Sequence, residues 1–385
     1  MSEAGEVIHF ADPDLSSEEL EGVAAVLRSP ELGHGRVVEA FERAFAARVG
    51  RTHAIAVPSG TIGLYLVLRA LDIGGGDEVI AAPYAWHQIA WAVPHAGAAL
   101  ALADIDYWTG SLAPDKAAAR IGPQTKAILA TNVNGHPAAW GPLEALAAEH
   151  GLALIEDATE SFGSRYADRL VGGFGVCAIF DFASPAAICC GEGGMVVTDD
   201  AKLAARLRHF RAHRLEDRHS VVVGAFPALR ATMSNLTAAL GLVQLMRADD
   251  LLVRRKAIEA IYLEEIQSFE GIKPPYVAPE ASEVHWFTYT VHLGTRFQKQ
   301  ARDDIVEDLR TAGIAAAAYC RPLHRQPYFM ERGLRRGALP VADRISDRAI
   351  ALPFHAHLTP DQIKFIVKTA KDSSVNVGAG AAIYL

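Results

Sequence analysis

The chain has 385 residues, of which 50% are hydrophobic and 21% charged, and its formal net charge is −8 at pH 7. That length accommodates a large core, with one large and one small domain. The ordinary charge content and acidic balance argue against a disordered chain or a nucleic-acid footprint, and no uncharged apolar run reaches membrane-spanning length.

The opening residues carry acids and no apolar run, which reads as a chain without a signal peptide. The cysteines Cys177, Cys189, Cys190 and Cys320 are too few and too irregularly spaced for a disulfide framework or a zinc site, so a reducing cytoplasm is expected. Ser16 and Glu19 form a Ser-x-x-Glu capping box ahead of a helix. Residues 37–49 are apolar at helical spacing. Residues 53–57 read as a strand, Pro58-Ser59-Gly60-Thr61 as a turn and residues 62–71 as a helix. Strands follow at residues 78–82, 99–103, 126–130 and 153–157, with helices running through Val93 and over residues 142–150 between them. Short apolar strands alternating with helices predict a mostly parallel sheet covered on both faces.

Residues 177–182 and 194–198 look like two further strands, and a long helix starts near Ser234 and runs past Arg255. After Phe269 the character changes. Gly271-Ile272-Lys273-Pro274-Pro275 is a break, residues 285–293 alternate as a strand, and residues 301–312 and 361–370 are helical. A large domain of residues 1–265 and a smaller α+β domain of residues 266–385 are expected. The Gly/Ala-rich tail, residues 375–385, carries no assignment.

Several motifs stand in order along this frame. They are Ser59-Gly60-Thr61 at a strand–helix turn, Trp86, Ile155-Glu156-Asp157-Ala158, Phe180-Asp181-Phe182, Gly191-Glu192-Gly193-Gly194, the run from Ala238 to Leu245, and the run from Pro322 to Tyr328. With them, nearly the whole chain resembles the DegT-type sugar aminotransferases. The resemblance implies an α/β fold of the aspartate-aminotransferase type (fold type I), working as a homodimer with its active site at the subunit interface. It further implies that backbone N–H groups of Ser59, Gly60 and Thr61 hold the phosphate of pyridoxal phosphate (PLP) at a helix N-terminus. Trp86 would stack on the pyridine ring, and Asp157 would pair with the pyridinium nitrogen. Tyr319 and His324 would lie toward the sugar.

The departures from that pattern gather around the cofactor. Counting back from Gly191, the position of the family's Schiff-base lysine is Ala186, and no lysine lies between Lys126 and Lys202. Asp181 stands where a serine usually donates to the phosphate, and a carboxylate there repels a dianion. Glu160 replaces a Gln or His near the ring hydroxyl, and His87 replaces a small or aliphatic residue. Arg230 aligns with an Asn that reaches the phosphate from the neighbouring subunit.

The favoured expectation is a PLP-independent enzyme of specialised metabolism such as antibiotic biosynthesis. His87, Asp157, Glu160 and Asp181 would do acid/base chemistry in it, because crowded carboxylates raise one another's pKa. The reaction would be dehydration, isomerisation, cyclisation or condensation of a small polar metabolite derived from a sugar, cyclitol or amino acid. The cofactor expectation is none, or PLP or pyridoxamine phosphate (PMP) held noncovalently, with no covalent PLP. Two alternatives stay open. One is a sugar aminotransferase or dehydratase with noncovalent cofactor, or an aminotransferase trapped by a Lys→Ala change; Ser59, Gly60, Thr61, Trp86, Asp157 and Arg230 would then be cofactor ligands. The other is a non-catalytic partner protein. No metal site is expected, since the histidines lack ligand spacing. His136, His213 and His324 are further candidates for the cleft wall.

Overall fold

Seven strands form the central sheet of the computed structural model, which describes residues 7–212, 228–267, 269 and 271–382. They are β1 (His53–Val57), β2 (Glu78–Ala81), β3 (Ala99–Leu102), β4 (Thr125–Thr131), β5 (Ala153–Asp157), β6 (Cys177–Asp181) and β7 (Gly194–Thr198). Their order is β1-β7-β6-β5-β4-β2-β3. β7 runs antiparallel to both neighbours, and every other pair is parallel, as the alternating pattern predicts.

Side chains alternate across the sheet, so each strand feeds two cores. Ile55, Val57 and Val196 face a core shared with α3 (Gly60–Ala70), α4 (Trp140–His150) and α5 (Ala201–Arg211). Ala54, Ala56, Met195 and Val197 face the opposite layer, where Phe41 and Phe45 of α2 (Arg36–Val49) meet Ala238 and Leu245 of α6 (Asn235–Met246). The result is a three-layer α/β/α arrangement. At its N-terminal side α1 (Ser17–Leu27) begins with the predicted capping box, Ser16 N–H donating to Glu19 Oε2 at 2.7 Å.

Further along, β8 (Ile272–Lys273), β9 (Tyr289–Leu293), β10 (Ala317–Ala318) and β11 (Ala349–Leu352) form a second sheet, antiparallel throughout, in the order β8-β9-β11-β10. Its core takes in Tyr262 of α7 (Ala248–Ile266), stacked 4.2 Å from Tyr289, together with α8 (Lys299–Thr311) and α9 (Pro360–Ala382). No helix among the described residues is long and apolar enough to cross a membrane.

Four segments differ from expectation. The long helix after Ser234 is two helices, broken at Arg247, where φ is −89° and ψ is 2° and the guanidinium is held on Asp14 Oδ1 at 2.6 Å. The segment ending at Val93 is a 3-10 turn, Ile89–Trp91, followed by the short helix Ala92–His95. The strand expected from residue 285 starts only at Tyr289. Its first residues pair with the large sheet's loops instead: His285 N–H donates to Ser164 Oγ at 2.9 Å, and Thr288 N–H to Asn134 Oδ1 at 3.0 Å. The last helix continues from Pro360 to Ala382, well beyond residue 370.

What positions the site is the edge at which β1, β4, β5 and β6 all end. Thr131, Asp157 and Asp181 are the last residues of their strands, and Ser59 follows β1 as the N-cap of α3. Side chains at the carboxyl ends of parallel strands open into the crevice where such sheets bind ligands. Gly194 opens β7 at the same edge. A Cβ on it would stand 2.7 Å from the Ser59 carbonyl carbon and 2.8 Å from Gly60 N, so only glycine lets β7 press against the start of α3.

Candidate functional site

Asp157 is 1% exposed at the end of β5. Its Oδ1 accepts from Thr159 N–H (3.1 Å) and Thr159 Oγ1 (2.7 Å), and its Oδ2 accepts from Thr131 Oγ1 (2.9 Å). Each carboxylate oxygen has two lone pairs, so Oδ2 keeps one acceptor position open. Burial pushes this carboxyl up to about 7, against the lowering effect of the Thr159 hydroxyl.

Glu160 is saturated. Its Oε1 accepts from Trp86 N–H (2.6 Å) and His87 N–H (2.9 Å), while Oε2 accepts from Asn134 N–H (2.7 Å) and the Tyr319 hydroxyl. Four donors from three distant segments fill all its lone-pair directions. Burial raises its pKa, and burial holds the Tyr319 phenol well above its ordinary value, a donor throughout. All four lone-pair directions of Glu160 are thus filled within the chain, one of them by the Tyr319 hydroxyl. The pair fixes the loop that carries Trp86 and His87.

That loop presents its rings to neighbours from elsewhere. Trp86 stacks on Phe10 at 5.1 Å and 11° between planes, and the His87 ring meets Phe287 edge-on at 5.1 Å. His87 Nδ1 is buried and has no hydrogen-bond partner among the described residues.

Asp181, half-buried at the end of β6, reaches α3. Its Oδ2 accepts from Gly60 N–H at 2.7 Å and its Oδ1 from Ala183 N–H at 2.9 Å. Ser59 Oγ caps Ile62 N–H at 3.3 Å. The first turn of α3 thus already has acceptors on two of its N–H groups. Ala186 lies in the segment between β6 and β7, on the wall of a cavity shared with Thr159, Glu160, Asp181 and Phe287.

The structure brings Ser59, Gly60, Thr61, Trp86, His87, Asp157, Glu160, Asp181, Ala186 and Tyr319 to this strand edge and its loops. It does not bring His324 there. That ring is 0% exposed, its Nε2 meets Asp343 Oδ1 at 3.0 Å, and burial lowers its pKa. His136 is equally committed, with Nδ1 on the Pro137 carbonyl (2.7 Å) and Nε2 accepting from Ala278 N–H (3.0 Å). Arg230 is exposed and has no ion pair among the described residues of its own chain. His213 lies outside the described residues.

Sequence reasoning missed Asn134, Phe10 and Phe287. Asn134 sits at φ 53° and serves Glu160 through its N–H and Thr288 through its Oδ1. The Asn-Gly pair it forms with Gly135 was a turn signal that could have found it. A Cβ on Gly135 would stand 2.2 Å from the His285 carbonyl oxygen. Nothing in the sequence marked Phe10 as the partner of Trp86.

With that geometry in place, the comparisons with known proteins are specific. The model of the DegT/DnrJ/EryC1/StrS aminotransferase family matches residues 13–371. The chain is 34% identical to the GDP-perosamine synthase of Caulobacter vibrioides over 365 residues, covering 94% of this chain and 96% of that one. DesV of S. venezuelae, solved in complex with a ketimine intermediate, superposes with a TM-score of 0.87 at 31% identity, covering 96% of this chain and 99% of that one. The PMP form of Spr1654 from Streptococcus pneumoniae gives a TM-score of 0.92 over 98% of this chain and all of that one; at 23% identity this likeness speaks to the fold alone.

Two expectations are corrected here. A PLP-independent acid/base enzyme does not stand against a full-length match to aminotransferases and a relative named as a synthase of an amino sugar. Of its carboxylates, Glu160 and Asp181 are engaged by backbone and hydroxyl donors, while Asp157 is raised by burial and by the neighbouring Glu160. The expectation of no cofactor, or none held covalently, likewise gives way, since DesV is solved with a ketimine. The residues present suit a pyridoxal-type group at its ring end through Asp157, which keeps an open lone pair. They do not suit it at the phosphate end, where the Asp181 carboxylate lies on Gly60 N–H, nor at Ala186, which has no amine.

Proposed function

The chain belongs to the DegT/DnrJ/EryC1/StrS aminotransferase family, and from that premise we propose that it serves the amination of a sugar, passing an amino group to the keto carbon of a nucleotide-linked sugar. The name of the GDP-perosamine synthase, a relative that matches from end to end, supports the substrate class. The single observation that carries the reading is Asp157, a buried carboxyl at the end of β5 with one acceptor position open. A pyridine ring bound there supplies a reservoir for the electron pair released next to the amine nitrogen.

This chain's own residues do the rest. Asp157, pushed up to about 7, would hold the ring nitrogen of such a group and could carry the proton between them. Glu160 holds the Trp86 loop, and Trp86 and Phe10 form a rigid aromatic wall that keeps water from one side. On the same loop, His87 keeps a buried ring nitrogen, Nδ1, without a hydrogen-bond partner among the described residues, and would face the bound group. The cleft would lie between a large domain of residues 1–265 and a small one of residues 266–385, in a cytoplasmic homodimer whose two copies share their sites.

The test is Ala186→Lys combined with Asp181→Ser, so that the carboxylate on Gly60 N–H does not decide the outcome. Incubated with PLP and reduced with borohydride, the variant should carry the cofactor's mass at residue 186. With an amino donor it should then aminate a nucleotide-linked keto sugar. A variant that folds but takes no covalent PLP and makes no amino sugar contradicts the reading.

A further inference from the structure

The start of α3 already contains an anion. Asp181 Oδ2 is 2.7 Å from Gly60 N, and Oδ1 is 2.9 Å from Ala183 N. Ile62 N–H is taken by Ser59 Oγ and Gly63 N–H by the Ser59 carbonyl. The fit is close: a Cβ on Gly60 would stand 3.1 Å from Asp181 Oδ2 and 3.2 Å from Asp181 Cβ. The frame around it is tight, because β7 presses on Ser59 and Gly60 through Gly194. A carboxylate also differs in kind from a hydroxyl at this place. It reaches one atom further, it has no proton to donate to a phosphate oxygen, and it brings its own charge. Among the described residues no Lys or Arg forms an ion pair with it.

We propose that the Asp181 carboxylate is an internal occupant of the phosphate seat, so that a phosphorylated ligand binds α3 only by displacing it. This rests on the reading that the site takes a pyridoxal-type cofactor, but it makes a separate statement: the chain discriminates against the phosphate of that cofactor, not against its ring. A negative side chain lodged where a dianion must sit lowers affinity by both charge repulsion and loss of the Gly60 N–H. Removing the carboxylate frees the helix N-terminus as an anion seat. The ring end, on Asp157 and Trp86, is untouched by the change.

The experiment titrates the full chain and its Asp181→Ser and Asp181→Asn variants with three probes: PMP, unphosphorylated pyridoxamine, and inorganic phosphate. Calorimetry gives affinity, and thermal shift gives a second readout that needs no activity. Asp181→Ser should bind PMP about tenfold or more tighter than the parent, an effect on the scale of one lost charge contact. Its affinity for pyridoxamine should match the parent's, and inorganic phosphate should compete with PMP at lower concentration in the variant than in the parent. Asp181→Asn keeps an acceptor on Gly60 N–H without the charge, so it should fold like the parent and fall between the two. Equal PMP affinity in parent and variants overturns the proposal. If no form binds PMP, the cofactor reading fails by itself, and phosphate decides the seat: stabilisation of Asp181→Ser but not of the parent upholds the proposal, and no difference overturns it.

Discussion

The two ends of the cleft treat charge in opposite ways. At the ring end, Asp157 is deeply buried, held by hydroxyl and backbone donors and pushed up to about 7 by that burial, with an acceptor position left over. At the phosphate end, Asp181 is half-buried and spends its oxygens on Gly60 and Ala183 N–H groups. One carboxylate is arranged to receive a partner and the other to replace one. Between them Glu160, with four donors, holds the walls and takes no further partner. Three acidic side chains along one edge thus have three different jobs, separated by lone-pair accounting rather than by residue type.

The comparison can be broken first at Glu160. Glu160→Ala would strand three backbone N–H groups and the Tyr319 hydroxyl, and should cost at least about 3 kcal/mol in urea denaturation. A loss below about 1 kcal/mol would mean that the node does not organise the loop. Next comes Gly194→Ala. Its Cβ would meet backbone at 2.7 Å, so β7 or α3 must shift, at a cost of about 1–3 kcal/mol, with phosphate-end ligands more affected than unphosphorylated pyridoxamine. Equal loss for both ligands would show that the two ends are not separable.

The ring end gives a pH signature of its own. The folded state raises the Asp157 pKa above its ordinary 3.8, to about 7, so it favours the protonated form. The stability linked to that form is fully present below the unfolded pKa and is lost as pH rises through about 7. Asp157→Asn should therefore flatten the fall in stability between mildly acidic and mildly alkaline pH, measured by denaturation at several pH values. An unchanged slope would assign the fall to other groups.

The central sheet was legible because its strands are short apolar runs between turn signals, and β5 and β7 end where the pattern says. Asp157 and Ala186 were legible because motif spacing locates them. The role of Asp181 was only half legible. Its charge beside a phosphate seat could be read from the motif, but its bond to Gly60 crosses 121 residues and depends on a side-chain direction. The partners of Glu160 were hidden for the same reason: its donors come from residues 86, 87, 134 and 319, and no local pattern reveals that they converge. Counting carboxylates suggested a rebuilt acid/base pocket, whereas counting their donors shows the carboxylates engaged. The break at Arg247 was hidden because the helical pattern runs through it, while the tie to Asp14 is a long-range contact.

The most direct test of the contrast between the two ends is a crystal structure of the chain soaked with PMP. The account predicts the ring nitrogen against Asp157, the phosphate on the N–H groups at the start of α3, and the Asp181 carboxylate rotated off Gly60. A PMP bound with its phosphate elsewhere while Asp181 stays on Gly60, or with its ring away from Asp157, would contradict it.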